Sequence, residues 1–273
     1  MAARISYRTN KNGVPIVSKK ELDYLGEELI RDFCPQAMSE PVAIDMERFV
    51  GAYLNLEQDY QYLSSNCVYL GMTVFNDTYK VPVYNPKARR AEYISAKAGT
   101  VIIDKRLLEN YQRHRYRFTL GHEASHGILH AGYFGYNPEQ TSLFDRGGVP
   151  MIRCRMAEPL NGGSKSVTEW TDNDWLEWQA NRLSSAILMP RTMVYRLVTG
   201  TLTDRKDVSR LKEGVCPAPA FFQNPNTVSL VAKTFVVSRE AAVYRLRELG
   251  LIHRNADVGF LMGARDSIDI YAS

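Results

Sequence analysis

The sequence predicts an α+β chain, a helical domain with a small antiparallel sheet followed by a C-terminal helix-turn-helix-like helical region. Three observations predict it. Apolar residues recur at helical spacing around 113–130 and 175–190, and four short runs rich in Val, Ile and Tyr crowd into 67–104. Two further helical runs meet at Val236-Val237 near the end of the chain. With 273 residues, 45% hydrophobic and 23% charged, the composition is that of a globular protein with a sizeable core.

Taken in order, residues 1–17 read as a loose N-terminal tail, and Ser18 caps a helix over about Lys19 to Phe33. A second helix is expected near 45–56. Cys67 to Phe75, Lys80 to Tyr84, Ala91 to Ser95 and Thr100 to Asp104 then form the antiparallel sheet, with Asn76-Asp77 and Asn85-Pro86 as turn signals. Tyr116, Phe118, Leu120, Ile128 and Leu129, with no proline from Arg113 to His130, predict the next helix. From Gly135 to Asp174 the breakers Gly147-Gly148, Pro150, Pro159 and Gly162-Gly163 predict a long loop. Leu176, Ala180, Leu183, Ile187 and Leu188 set the following helix, which Pro190 ends. The main domain spans 18–200, 201–227 reads as a linker containing Cys216-Pro-Ala-Pro219, and 228–273 as the C-terminal region. Thr227 to Phe235 and Ser238 to Leu249 are its two helices, with Ser238 as N-cap and Gly250 just past the end. Val243, Leu246 and Leu249 are expected to face the partner helix, leaving Arg239, Arg245 and Arg247 on the outer side, where phosphates could be met.

The chemistry concentrates in His122-Glu-Ala-Ser-His126. On a helix this spacing sets two imidazoles on one face, roughly 5 to 6 Å apart, with a carboxylate beside them. His122 and His126 supply nitrogen ligands for Zn²⁺, and Glu123 is placed to take a proton from water at the open position. A third ligand is needed. His130 continues the same row, but three ligands in a straight helical line spread over roughly 12 Å, so it reads as a second-shell or packing residue. Glu177 and Asn181, four apart on the later helix, fit better: Glu177 as ligand, Asn181 as the group that holds a ligand histidine through its other ring nitrogen. Zinc suits such a set best, with Mn²⁺ another ion it accepts. The plain alternative is an ordinary helix with capped or solvated histidines.

The run Arg117-Phe-Thr-Leu-Gly-His122-Glu-Ala-Ser-His126-Gly-Ile-Leu-His130, followed by Glu177-x-x-Ala180-Asn181 and Leu188-Met-Pro190, resembles the ImmA/IrrE family of metallopeptidases. That resemblance covers about residues 40–190 and implies a zincin-like domain with a gluzincin-type site, two histidines from one helix and a glutamate from a later one. It also implies a protein substrate, often a helix-turn-helix repressor whose cleavage relieves repression. This chain has Gln179 where many members carry a second glutamate, and Ser125 where many carry glycine.

The net charge of +4 permits nucleic-acid contact without requiring it. Two basic clusters stand out, Lys87-Ala-Arg89-Arg90 and Arg113-His-Arg115-Tyr-Arg117. Cys34, Cys67, Cys154 and Cys216 lie too far apart for a zinc ribbon and read as free thiols. No apolar run is long enough for a membrane helix and the start lacks an apolar signal core, so a cytoplasmic location is expected. Two functions compete: a zinc endopeptidase acting on a regulatory protein, and a DNA-binding regulator whose zinc site is structural or inactive.

Overall fold

Ser18 opens the first helix reciprocally: its hydroxyl accepts from the Glu21 N–H at 3.3 Å, and the Glu21 carboxylate accepts from the Ser18 N–H at 2.7 Å. The structure is a computed structural model, and it describes residues 7–134, 151–155, 167–200 and 222–262. The described residues are α+β. Helix α1 spans Lys19–Phe33, and α2, Met46–Arg48, runs directly into a π-helical turn over Phe49–Tyr53.

Two sheets form in place of the single antiparallel one expected. One contains β1 (Glu57–Gln61), β2 (Tyr69–Val74), β5 (Thr100–Asp104) and β6 (Met151–Arg155). Its order is β1-β5-β2-β6, with β1 parallel to β5 and the other pairs antiparallel. The other is a hairpin of β3 (Thr78–Asn85) and β4 (Arg90–Ala96). The split has a packing cause. The hairpin alternates buried and exposed residues, so it has one apolar face to cover, whereas β5 is buried along its whole length. Val81 and Val83 accordingly stack onto Met72, Val74, Ile102 and Leu63. Lys87, Arg89 and Arg90 are exposed at the hairpin turn, while Arg117 of the second basic cluster is buried.

β2 presents Met72 and Val74 to the hairpin, so Gly71 and Thr73 face the other way, onto α3 (Arg113–Phe134). α3 is buried nearly all round, which is why His122, Glu123, Ser125 and His126 share the interior with Leu120 and Leu129. On its far side it meets α4 (Asp172–Leu188), which starts at a Thr171–Asp174 capping pair. A Cβ added at Gly121 would lie 2.7 Å from Ser184 Oγ, so glycine permits the close crossing of α3 and α4.

Residues 7–17 are not a loose tail. Val14 and Val17 are buried, Thr9 bridges to Pro15, and Asn10 and Asn12 donate to the Asp172 carboxylate at 3.3 and 2.6 Å. The stretch expected as one long loop also contains β6, the start of α4 and a 3₁₀ turn at Val167–Glu169; its remainder lies outside the described residues.

The chain divides into two compact units, Met1–Leu29 with Asp45–Ser184 and Ile30–Ile44 with Ser185–Ser273. That division falls inside α4, and residues 201–221 of the expected linker lie outside the described residues. The second unit contains α5 (Arg191–Thr199), α6 (Pro225–Phe235), α7 (Arg239–Glu248) and α8 (Val258–Met262). The Ser238 hydroxyl accepts from the Ala241 N–H and Gly250 follows with φ +72°, as the sequence led us to expect. The arginines of α7 do not lie outward. Arg245 is fully buried, donating from Nε to the Met189 carbonyl at 2.9 Å and pairing with Glu248 at 3.5 Å. Arg239 donates to Ser229 Oγ and the Leu261 carbonyl, and Arg247 to the Ala256 carbonyl. Each guanidinium has more to gain from an acceptor inside the chain than from one more shell of water. No helix among the described residues is long and apolar enough to cross a membrane.

Candidate metal centre

α3 contributes His122 and His126 one turn apart, and α4 crosses so that Glu177 meets them both. The two Nε2 atoms are 3.0 Å apart, with Glu177 Oε2 3.3 Å from His122 Nε2 and Oε1 3.5 Å from His126 Nε2. Behind them, His122 Nδ1 lies 2.9 Å from Asn181 Oδ1 and His126 Nδ1 lies 2.8 Å from His130 Nδ1. An amide oxygen only accepts, so His122 carries its proton on Nδ1 and turns a lone pair inward from Nε2. The carboxylate oxygens turn lone pairs inward as well. Acceptors crowded together repel unless a cation sits among them, and the donor atoms of His122, His126 and Glu177 all lie within 4.8 Å of one another. Ligands about 2.0–2.2 Å from a tetrahedral ion would be roughly 3.4 Å apart, close to the separations found. The three residues therefore fit a divalent metal ion, which one atom from each could hold.

The protonation states agree with that role. Burial pushes His126 down to about 4 despite the nearby carboxylate, so its imidazole is neutral at pH 7. Burial also acts to raise Glu177, but the two imidazoles that face it outweigh this and hold it well below the usual carboxylate range. The site thus presents a neutral imidazole at His126 beside the Glu177 carboxylate.

Glu123, the residue between, is fully buried against β2, and this burial raises it to about 7. Thr73 Oγ1 lies 2.6 Å from Glu123 Oε2 and 2.9 Å from the Glu123 carbonyl, so a single hydroxyl can serve either oxygen. Glu123 Oε1 is buried with no hydrogen-bond partner among the described residues. A carboxyl near neutrality with one oxygen held and the other unengaged suits a general base that must later give its proton back. Room for it comes from Gly71, where a Cβ would stand 2.5 Å from Glu123 Oε1.

All five residues expected at the site are brought together: His122, His126 and Glu177 as the donor set, Glu123 beside them, Asn181 behind His122. His130 does not join the donors and stands behind His126 instead. Tyr133 packs edge-on against Phe134 about two helical turns beyond His126. Thr73, Gly71 and Gln179 were not read as part of the site, and only Gln179 left any trace in the sequence, as a departure from the family pattern. The free thiols Cys34 and Cys67 are half-buried and take no part. The chain matches no protein-family model and no curated protein.

Proposed function

We propose that the protein is a zinc endopeptidase that hydrolyses a peptide bond in a regulatory protein, and that it works in the cytoplasm. The observation that carries this reading is the convergence of three lone-pair donors next to a buried carboxyl whose own oxygen Oε1 is unengaged. Zinc held by His122, His126 and Glu177 would supply Lewis acidity toward the scissile carbonyl and toward an attacking water. Glu123 takes the water's proton on Oε1 as the water adds to the carbonyl carbon, and passes that proton to the amide nitrogen as the C–N bond breaks. Thr73 holds Oε2 throughout and keeps the carboxyl pointed. Glu177 fills one side of the site while Asn181 keeps His122 in the ligating tautomer. An extended substrate segment can add to the sheet along the outer edge of β6, as strand-binding partners do. The resemblance to ImmA/IrrE metallopeptidases supports a helix-turn-helix repressor as the substrate.

The DNA-binding alternative rested on Arg239, Arg245 and Arg247 meeting phosphates, and those side chains bond within the chain. We therefore favour the peptidase. Glu123→Gln is expected to lower cleavage of the repressor by about 10²- to 10⁴-fold, the usual worth of a general base, with zinc stoichiometry unchanged. Cleavage at the wild-type rate by a zinc-loaded Glu123→Gln protein would show that the assignment of the base is wrong.

A further inference from the structure

We propose that His130 and Gln179 are positioning residues that fix the proton of His126, and that the carbonyl of Pro15 sets the direction of the whole chain of hydrogen bonds. The inference rests on the metal-site reading above and extends it to residues outside the donor set.

The direction follows from one group that has no choice. A backbone carbonyl can only accept, and the Pro15 oxygen lies 2.7 Å from Gln179 Nε2, so the side-chain amide points its NH₂ there. Its Oε1 therefore faces the other way, onto His130 Nε2 at 3.0 Å. That nitrogen must be the N–H of His130, which leaves His130 Nδ1 with a lone pair. His126 Nδ1 is 2.8 Å from it and must then be the donor. Once Nδ1 of His126 carries the proton, Nε2 has the lone pair, and Nε2 is the atom turned toward His122 and Glu177. Every member is buried: His126 and His130 have no exposed surface and Gln179 has 1%. No water is needed at any step.

The two ligating histidines are thus wired differently. His122 reaches its acceptor in one hydrogen bond, donated to Asn181 Oδ1, whereas His126 reaches a fixed acceptor only after three, at a residue 111 positions earlier in the chain (126 − 15). The residues around Pro15 are held in turn by the Asn10 and Asn12 bonds to Asp172, so the segment before α1 is part of the support of the metal site. This also gives Gln179 a reason to be an amide: it donates at one end and accepts at the other, which an ionised carboxylate in its place could not do.

The test uses the full chain as wild type, Gln179→Leu, His130→Phe and the double variant, with zinc affinity read by competition against a chelator. Each single change is expected to weaken zinc by about 10- to 100-fold, the usual effect of losing a partner behind a ligand. The double variant should lose no more than the worse single one, because both break the same chain. Losses that multiply, or single variants that bind like wild type, overturn the proposal. Nitrogen-15 NMR of histidine-labelled wild type gives a reading that needs no variant: protonated Nδ1 on His126 and protonated Nε2 on His130 are expected, and the reverse on His130 overturns it. Absence of zinc binding by the wild type would instead sink the metal-site reading, and the same spectra of the metal-free protein still decide the wiring.

Discussion

Helices α3 and α7 both bury polar side chains, and they dispose of them in opposite ways. In α7 the buried Arg245 meets acceptors, the Met189 carbonyl and the Glu248 carboxylate, so its positive charge has partners of the opposite sign. In α3 the buried His122 and His126 turn toward each other and toward Glu177, acceptor facing acceptor, an arrangement that a cation between them would balance. Burial of polar groups alone does not mark a site. A remainder of one sign does, because no protein would hold it at such cost without a partner for it.

The contrast can be broken most severely by removing an acceptor from the remainder. Glu177→Ala is expected to lower zinc affinity by about a thousandfold or more, since even a partner behind a ligand is worth about 10- to 100-fold. Competition titration reads this directly, and affinity within tenfold of wild type would place the third ligand elsewhere.

A second effect comes from pH. Burial raises Glu123 from the usual 4.5 to about 7, so the metal-free folded state resists an ionisation that the unfolded chain has already undergone. Stability contributed at low pH is therefore lost as pH rises from 4.5 to about 7, and Glu123→Gln should return about 3 kcal/mol to the metal-free protein at pH 8 and almost none at pH 4. On the acid side, His126 and His130 are held down to about 4 and about 3, so the unfolded chain takes up protons first and stability falls as pH drops below 6.5. Urea melts across this range check both limbs. A flat Glu123→Gln difference between pH 4 and 8 would contradict the buried-carboxyl account.

The smallest effect should come from α7. Arg245→Ala leaves the Met189 carbonyl without its donor and opens a cavity, which costs about 2 kcal/mol of unfolding free energy, while zinc affinity stays at the wild-type value. A drop in zinc affinity of tenfold or more in this variant would mean that the two helices are not independent.

Much of the site was legible because helical spacing is local: His122 and His126, like Glu177 and Asn181, lie four positions apart, and each pair projects from one face. The α-helices carrying them were legible for the same reason. β1 was not, because Glu-Gln-Asp-Tyr-Gln is a polar edge strand with no apolar alternation, and β6 sits in a stretch rich in breakers. Which strands share a sheet depends on pairings far apart in the chain. The link from Gln179 to Pro15 spans 164 residues, and no pattern in a local window announces it. Arg245 is a different failure, since the signal was present: it lies three residues after Ala242, next to Leu246 and four before Leu249, on the apolar stripe. Charge favours the outer side, but position wins, and the long guanidinium reaches an internal carbonyl.

Gly71 carries one more consequence. The Glu123 carboxyl is displaced by whatever grows from that strand, and a single methyl group there is enough to collide with it at 2.5 Å. On the peptidase reading, Gly71→Ala alters no ionisable group and no proposed metal ligand, so the protein it yields should still grasp its client yet be unable to cut it. Such a decoy would hold the client long enough for co-purification to identify it.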